Sequence, residues 1–281
     1  MNFGLTNSEL LAHKTVYADG LMTGKTVLIS GAGSGLGKAT AILMGRLGAT
    51  VVLAGRTEEK LQAVADDMAD AGLAAHVRPI NIRDDETVYP WMAELFEDFD
   101  GIDGLINSAG GQFPQDAIDF KPKGWRAVID TNLNGTWYMM QSAAQNWRER
   151  GEPGSIVNIV TVIDRGMTGV AHTCAARAGV VYVSKSVAVE WSAFGVRVNC
   201  IAPGAIMTEG QAVYSDEARA AFVMSNPMKR FGSAFDIAEA CVYLTSQASN
   251  FTTGEVLTID GGGALWGELW TQGKPDYFKG P

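Results

Sequence analysis

Four glycines at alternate positions, Gly31, Gly33, Gly35 and Gly37, could bind a phosphate group. They follow a short apolar run over residues 27–30 and precede a helical pattern that begins at residue 38. Glycine allows positive φ and close approach to a ligand, and a helix N-terminus offers unpaired N–H groups to an anion. The spacing predicts a pyrophosphate cradle made of Gly31, Ser34, Gly35, Leu36 and Gly37. A glycine-rich turn that only connects strand to helix is the alternative.

The end of the second predicted strand, residues 50–54, indicates which dinucleotide binds. Arg56 follows this strand, and no Asp or Glu occupies positions 54–57. An acidic residue here would hold a ribose 2′-hydroxyl, whereas an arginine accommodates a 2′-phosphate. The sequence therefore predicts NADP rather than NAD. Asn81 and Ile82, after the third predicted strand, are expected to flank the adenine.

Further glycines, prolines and asparagines follow the later strands. Asn132 and Gly135 lie within a long helical stretch, residues 125–150, which we expect to be kinked near Gly135 so that a carbonyl faces water. The remaining residues expected at the cofactor are Asn107, Ala109, Gly110, Pro203, Gly204 and Ile206.

Composition and charge exclude several classes of protein. There are 22 basic and 31 acidic residues, a formal net charge of −9, so a nucleic-acid partner is not expected. The sequence has no apolar run of about 18 residues and no basic-then-apolar leader, which predicts no membrane span and no secretion. Three widely spaced cysteines indicate free thiols, with no metal framework, in a reducing compartment. We therefore expect a cytoplasmic protein without a metal.

Strands alternate with helices along the chain, which predicts an α/β fold: a Rossmann-type, doubly wound parallel sheet of about seven strands in three α/β/α layers. One NADP-binding catalytic domain is expected over residues 23–265, after an N-terminal extension, residues 1–22. Residues 205–231 are too long for an ordinary connection and are expected to form a substrate-side flap. The C-terminal tail, residues 266–281, is expected to pack on a neighbouring subunit or over the site.

Taken in order, these motifs resemble the short-chain dehydrogenase/reductase family over nearly the whole chain. The resemblance rests on the GxxxGxG spacing, NSAG at 107–110, NLNG at 132–135, APG at 202–204 and IDGG at 259–262. It implies a seven-stranded parallel sheet, a nicotinamide cofactor, a small-molecule substrate and, usually, a homotetramer. A homo-oligomer is also expected from an excess of apolar residues on two helices, Trp137, Tyr138, Met139, Met140, Tyr182 and Trp191.

The chain departs from this family at the catalytic residues. The family has an Asn, a Ser and a Tyr-x-x-x-Lys motif, and here those positions hold Asn132, Thr161, Thr173 and Arg177. The phenol acid is therefore missing, and a guanidinium replaces the ammonium. Tyr182 does not replace it, since it lies nine residues after Thr173, on the other side of the helix. Core or interface packing is the expected role of Tyr182.

Part of the family shares this alteration. The runs NIRDDETV, GGQF, KGWRAVIDTNLNGTWYM, GSIVNIV and AARAGV resemble peroxisomal trans-2-enoyl-CoA reductase and, more distantly, 2,4-dienoyl-CoA reductases. The latter reduce a C=C bond of an acyl thioester with NADPH. Val181 stands where the enoyl-CoA reductase has a Tyr, so a role of that Tyr is not transferred. The final Lys-Gly-Pro is no peroxisomal address, which again favours the cytoplasm.

These residues predict an NADPH-dependent reductase of enoyl or dienoyl thioesters, with acyl-CoA as the expected carrier. Thr161 and Thr173 would donate to the enolate oxygen, Asn132 would order a water, and Arg177 would hold the nicotinamide ribose. Two alternatives remain open. One is a ketone or alcohol oxidoreductase with another proton donor, and the other is a cofactor-binding subunit that has lost catalysis.

Overall fold

A single seven-stranded parallel sheet forms the centre of the computed structural model, which describes residues 3–265, 267 and 271–279. The strand order is β3-β2-β1-β4-β5-β6-β7, so the predicted doubly wound α/β fold is confirmed. The strands are Thr26–Ser30 (β1), Thr50–Gly55 (β2), Ala75–Pro79 (β3), Gly104–Asn107 (β4), Gly154–Ile159 (β5), Val196–Pro203 (β6) and Val256–Ile259 (β7). The order reverses between β1 and β4, and ligands bind at such a point, beyond the carboxyl ends of the strands.

Helices cover both faces of the sheet. They are Asn7–Ala12 (α1), Gly35–Arg46 (α2), Glu58–Asp70 (α3), Asp85–Asp98 (α4), Pro122–Ile129 (α5), Gly135–Arg150 (α6), Ala171–Trp191 (α7), Asp216–Val223 (α8) and Ala234–Thr245 (α9). One apolar layer joins the sheet to α1, α2, α3 and α9, and a second joins it to α4, α6 and α7. Within the described ranges, no helix combines the length and apolar character that a bilayer crossing requires.

The central strands are apolar on both faces because helices bury both faces. β1, for example, is buried throughout except at its first residue, Thr26. Polar residues are tolerated at the carboxyl ends, where Asn107 donates to the Oδ1 atom of Asn158 at 2.9 Å. The apolar runs in the sequence are therefore sufficient to indicate the sheet.

The long helical stretch is interrupted near Gly135, as predicted. A π-helical turn, Asp130–Asn134, separates α5 from α6 and ends directly before Gly135. Gly135 itself serves close packing, since a Cβ atom there would lie 2.7 Å from the Cγ1 atom of Ile82. The wide turn changes the direction of the Asn132 side chain and brings it to the loop after β4, residues 108–116.

The N-terminal extension packs on α2 through α1, whose Leu10 is 1% exposed. His13 stacks on Phe235 of α9 with ring centroids 3.4 Å apart. Of the C-terminal tail, Trp266 and Trp270 lie outside the described residues. Tyr277 donates to the carbonyl of Pro227 at 2.9 Å, so this part of the tail lies on the end of the flap.

Candidate active site

The glycine cradle lies between the ends of β1 and β4. Gly31 has φ of +73°, and a Cβ atom there would lie 2.8 Å from the backbone nitrogen of Ala109. At Gly37 a Cβ atom would lie 2.3 Å from the carbonyl oxygen of Gly31. Both glycines are therefore required by close backbone contact. The Ala109 N–H donates to Ser30 Oγ at 3.2 Å, which joins the two loops.

Helix α2 begins at Gly35 and directs its first N–H groups towards this cradle. Ser34, immediately before the helix, makes no side-chain capping bond, so its hydroxyl is available to a ligand. Leu36 and Gly37 complete the first turn. The arrangement is that of an anion site at a helix N-terminus.

The residues predicted to contact the adenosine half lie at the ends of β2 and β3. Arg56 is exposed directly after β2, and no hydrogen bond or ion pair with the described residues restrains it. Asn81 is also exposed, whereas Ile82 is 4% exposed and packs against the backbone at Gly135. Arg56 is thus free to meet a 2′-phosphate beyond the end of β2.

Arg177 is a buried cation at the centre of the site. Its side chain leaves α7 and ends against Gly110, where a Cβ atom would lie 2.1 Å from Nη2 of Arg177 and 3.1 Å from Oδ1 of Asn132. Arg177 is 8% exposed. Burial lowers the pKa of its guanidinium, Cys200 offsets part of that fall, and the resulting pKa is about 10. No carboxylate among the described residues contributes to that balance. Arg177 therefore remains charged at neutral pH without an acidic partner.

Asn132 holds the loop after β4 rather than pointing into the cleft. Its Oδ1 atom accepts the N–H of Gly111 at 3.0 Å, and its Nδ2 atom donates to the Gly111 carbonyl at 3.0 Å. Both ends of the amide are thus engaged by one residue. The Asn132 carbonyl accepts the Thr136 hydroxyl at 3.1 Å. The Asn132 side chain therefore fixes the loop, and its role in ordering a water stays a prediction.

Thr173 lies one helical turn before Arg177 on α7 and is 4% exposed. Its N–H is shared between the Val170 carbonyl, at 2.9 Å, and Nδ1 of His172, at 2.8 Å. Its hydroxyl lies 3.3 Å from the same Nδ1 atom. Depending on the ring tautomer of His172, the Thr173 hydroxyl donates to Nδ1 or turns towards a substrate.

His172 is a functional candidate that the sequence did not reveal. It is fully buried, it stacks on Phe120 with centroids 4.5 Å apart, and its Nε2 atom has no hydrogen-bond partner among the described residues. Burial lowers its pKa, and the carbonyls of Val170 and Phe113 offset part of that effect. Its position next to Thr173 was the available signal.

The other predicted residues frame the site. Thr161 is half-buried just beyond β5, and no hydrogen bond within the described ranges joins it to Thr173. Asn107 uses its amide nitrogen inside the sheet, and its Oδ1 atom is buried without a partner. Pro203 ends β6, and at Gly204 a Cβ atom would lie 2.7 Å from Cα of Asp260. Asn107 and Thr161 therefore lie at the carboxyl ends of β4 and β5, on the sheet side of the site.

The predicted flap, residues 205–231, leaves and rejoins the domain at one point. Ile206 forms a bridge with Gly232, and its carbonyl accepts Nε2 of Gln211 at 2.9 Å. Glu209 then reaches the cradle, where its carboxylate accepts the Gly35 N–H at 3.0 Å and the Lys38 ammonium at 2.7 Å. The flap is thus fastened to the first turn of α2.

The far side of the flap reaches the loop after β4. Nε2 of Gln112 donates to the hydroxyl of Tyr214. Four consecutive residues of this loop contact four polar side chains in turn: Gly110 with Arg177, Gly111 with Asn132, Gln112 with Tyr214 and Phe113 with His172. The loop therefore forms one wall of the cleft. Gln112 lies in the run GGQF but was not predicted as a site residue, and no sequence motif included Tyr214.

A parallel sheet with a glycine cradle at its reversal point defines a dinucleotide-binding α/β enzyme class. The family model described as enoyl-(acyl carrier protein) reductase matches residues 31–263. The chain belongs to the short-chain dehydrogenase/reductase family. The resemblance predicted from its motifs is thereby confirmed.

Two curated relatives show how the family has diversified. The chain is 35% identical over 246 residues to a probable 2,4-dienoyl-CoA reductase of Bacillus subtilis, covering 86% of this chain and 97% of that protein. It is 32% identical over 248 residues to the 3-oxoacyl-(acyl-carrier-protein) reductase FabG of Aquifex aeolicus, covering 86% and 98%. The chain is therefore an oxidoreductase of this family, with relatives named for both C=C and C=O reduction.

Solved structures support the fold and the cofactor. A citronellol catabolism dehydrogenase of Pseudomonas aeruginosa matches with a TM-score of 0.80 at 35% identity, over 90% of this chain and 100% of that one. An actinorhodin polyketide ketoreductase with NADPH matches with a TM-score of 0.81 at 25% identity, over 89% and 100%. The cradle, the free Arg56 and the unpaired Arg177 fit such a cofactor, and NADP is the cofactor of this chain.

Proposed function

We propose that this protein reduces the C=C bond of a 2-enoyl or 2,4-dienoyl thioester with NADPH, the acyl group being carried by coenzyme A. The observation that carries the proposal is the pair on α7: a threonine replaces the family phenol, and a buried Arg177 without a carboxylate follows it. The name of the Bacillus subtilis relative supports the same chemistry.

The two reductions make different demands on the protein. Reducing a ketone produces an alkoxide, which needs a tuned acid at about 3 Å. Reducing an enoyl thioester at Cβ produces an enolate, whose oxygen needs hydrogen-bond donors already directed at it. Neutral donors meet the second demand, so the threonine at position 173 is compatible with C=C reduction and poorly suited to C=O reduction.

Bound NADPH supplies the hydride, and the residues of this chain position and stabilise the reactants. The cradle and Arg56 would hold the phosphates, and Arg177 would hold the nicotinamide ribose. The Arg177 charge lies in a buried environment of low dielectric, where it favours a neighbouring enolate. The hydroxyls of Thr161 and Thr173 would donate to the enolate oxygen. Asn132 keeps the wall of the cleft in place.

A ketone or alcohol oxidoreductase is the second candidate. The FabG relative supports it, as does His172, a titratable group beside Thr173. A cofactor-binding subunit without activity is the third, and the tightly packed cradle argues against general decay of the site.

Measuring NADPH oxidation by the purified protein distinguishes the three candidate functions. Crotonyl-type and dienoyl-type CoA thioesters are compared with 3-oxoacyl thioesters and simple ketones. We expect turnover of the unsaturated thioesters. Turnover of the ketones alone would reject the proposal in favour of the second candidate, and NADPH binding without any turnover would favour the third.

We also propose a cytoplasmic homotetramer, with the outer surface of α6 and α7 as an interface. Trp137 and Trp191 stack there with ring centroids 6.2 Å apart, and Tyr182 is 69% exposed. Met139 and Met140, which the sequence suggested for this patch, lie in the core instead, because they face the sheet. Core packing of Tyr182 is likewise wrong, which leaves the interface as its proposed role.

A further inference from the structure

The flap carries a tyrosine to the wall of the cleft. Tyr214 follows a 3₁₀ turn, Glu209–Val213, and precedes α8. Its hydroxyl accepts a hydrogen bond from Nε2 of Gln112. Since Gln112 is the donor in that bond, the phenolic proton of Tyr214 remains available for another acceptor.

The Tyr214 hydroxyl meets the same loop as the buried cation. Gln112 is two residues from Gly110, so their Cα atoms are at most about 7 Å apart. Gly110 contacts Arg177, and the intervening Gly111 is held on both backbone groups by Asn132. The Tyr214 hydroxyl and the Arg177 guanidinium therefore lie against the same short stretch of this loop, residues 110–112.

The chain has seven tyrosines, and all lie within the described residues. Three other tyrosines are placed away from the loop after β4. Tyr182 is 69% exposed on α7. Tyr89 donates to Gln141 of α6, and Tyr17 donates to the carbonyl of Glu239 on α9. Tyr214 is the one that is hydrogen-bonded to the loop after β4.

We propose that Tyr214 is the proton donor of this enzyme, a phenol brought by the flap in place of the one missing at position 173. This inference rests on the proposed function in one respect: the proton is delivered to Cα of a thioester whose Cβ has received hydride. The new C–H bond at Cα forms as the Tyr214 O–H bond breaks. The electron pair stays on the phenolate, which takes a proton from water.

The environment of Tyr214 suits a general acid. Its ring packs edge-on against Phe222 with centroids 5.0 Å apart. Burial raises its pKa, and the bond from Gln112 offsets part of that rise. The phenol is therefore protonated throughout the neutral range and is ready to donate, while Gln112 stabilises the phenolate that forms.

The flap that carries Tyr214 is held at two points. Five residues before Tyr214, Glu209 binds the first turn of α2 through Gly35 and Lys38. The flap is therefore held both at the first turn of α2 and at the loop after β4, which fixes Tyr214 against that loop.

The test replaces Tyr214 with Phe, which keeps the ring and removes the hydroxyl. We expect kcat to fall by about 10²-fold, within the range for loss of a general acid, with the KM for the thioester and the Kd for NADPH within about threefold. Reduction in D₂O should place deuterium on one face of Cα in the unaltered enzyme and on both faces in Tyr214→Phe, as measured by NMR. Tyr182→Phe, a matched change on an exposed tyrosine, is expected to behave as the unaltered enzyme.

A second variant separates catalysis from folding. Gln112→Leu leaves the phenol but removes its partner, and we expect kcat to fall by about tenfold with deuteration still on one face. The proposal is overturned if Tyr214→Phe keeps both its kcat and its stereochemistry. It is equally overturned if the KM for the thioester and the Kd for NADPH rise together with the loss of kcat, because the defect then lies in binding. If Tyr214→Phe does not fold, a fully active Gln112→Leu overturns the proposal.

Different measurements test the proposed function and the role of Tyr214, so either can be refuted without the other. The substrate panel is measured on the unaltered enzyme, and Tyr214→Phe is then compared on whichever substrate that enzyme reduces. Reduction of ketones alone would refute the thioester assignment. Tyr214 would then be judged by whether its replacement lowers ketone turnover by a similar factor.

Discussion

Arg177 and Gly110 are in direct contact, and neither position tolerates much change. A Cβ atom on Gly110 would lie 2.1 Å from Nη2 of Arg177, so the loop after β4 leaves space for the guanidinium only because residue 110 has no side chain. The cation is 8% exposed and has no carboxylate partner among the described residues. A buried charge kept without a partner costs stability, which indicates that it is retained for function.

Replacing Arg177 with Met should therefore raise stability and lower activity. We expect the free energy of unfolding to rise by about 1 kcal/mol, because an unpaired charge leaves the core. We expect kcat to fall by about 10²-fold and the Kd for NADPH to rise by about tenfold. Urea unfolding, steady-state kinetics and cofactor titration measure the three quantities. Since the pKa of Arg177 is about 10, no limb of the pH–rate profile between pH 6 and 9 should trace to it.

Three further variants control the Arg177 experiment. Gly110→Ala displaces the guanidinium without removing its charge and should also lower kcat, whereas Gly166→Ala, with open space around it, should not. Arg126→Met removes an exposed cation and should change none of the three quantities. A destabilised Arg177→Met with unchanged kcat would show that Arg177 is structural.

Replacing Arg56 with Ala should change cofactor preference. A charge-assisted hydrogen bond contributes about 1.5–3 kcal/mol, so we expect kcat/KM for NADPH to fall by at least about tenfold. The value for NADH should stay within about twofold, because NADH has no 2′-phosphate. Arg126→Ala is the surface control. Equal kcat/KM values for the two cofactors in the unaltered enzyme would refute the role of Arg56.

Replacing either threonine with Val should slow the chemical step. Val keeps the shape of Thr and removes the hydroxyl, so we expect Thr161→Val and Thr173→Val each to lower kcat by about 10²–10³-fold, the usual cost of losing one oxyanion donor. Thr168→Val, on an exposed position of the loop between β5 and α7, is the matched control. Full activity of both variants would remove the threonines from the mechanism.

His172 should make stability depend on pH in the mildly acidic range. Burial places its pKa below the ordinary value of 6.5, so below that pH the unfolded chain binds a proton that the folded chain does not. Stability contributed by neutral His172 is present above about pH 6.5 and is lost as the pH falls towards the lowered value. His172→Gln should reduce the difference in unfolding free energy between pH 7.5 and 5.5. The exposed His76→Gln should leave that difference intact, and an unchanged difference in His172→Gln would contradict the assignment.

The oligomer should depend on α7. Light scattering at micromolar concentration is expected to give the mass of a tetramer, and Val189→Glu, at a position 77% exposed, should weaken association. Val16→Glu, 89% exposed on the N-terminal extension, should not. A monomeric mass for the unaltered protein would reject this interface.

Local patterns were enough to predict the fold and the cradle. The apolar strands are buried on both faces, so their composition reveals them, and the glycines at 31 and 37 are dictated by contacts between neighbouring loops. The helix break was predicted near Gly135, and the π-helical turn ends directly before that residue. A helix of eight residues within the flap, α8, was not predicted, since its pattern is short and weak.

The amino-acid sequence by itself determined the order of strands and helices, the phosphate cradle and the absence of the phenol at position 173, because these are properties of single segments. Only the tertiary structure decided which polar groups share the cleft. Gln112 and Tyr214 are 102 positions apart, and Gly35 and Glu209 are 174 apart. No local periodicity records such pairs, because they arise only when a parallel sheet places the carboxyl ends of its strands side by side and the flap folds back across them.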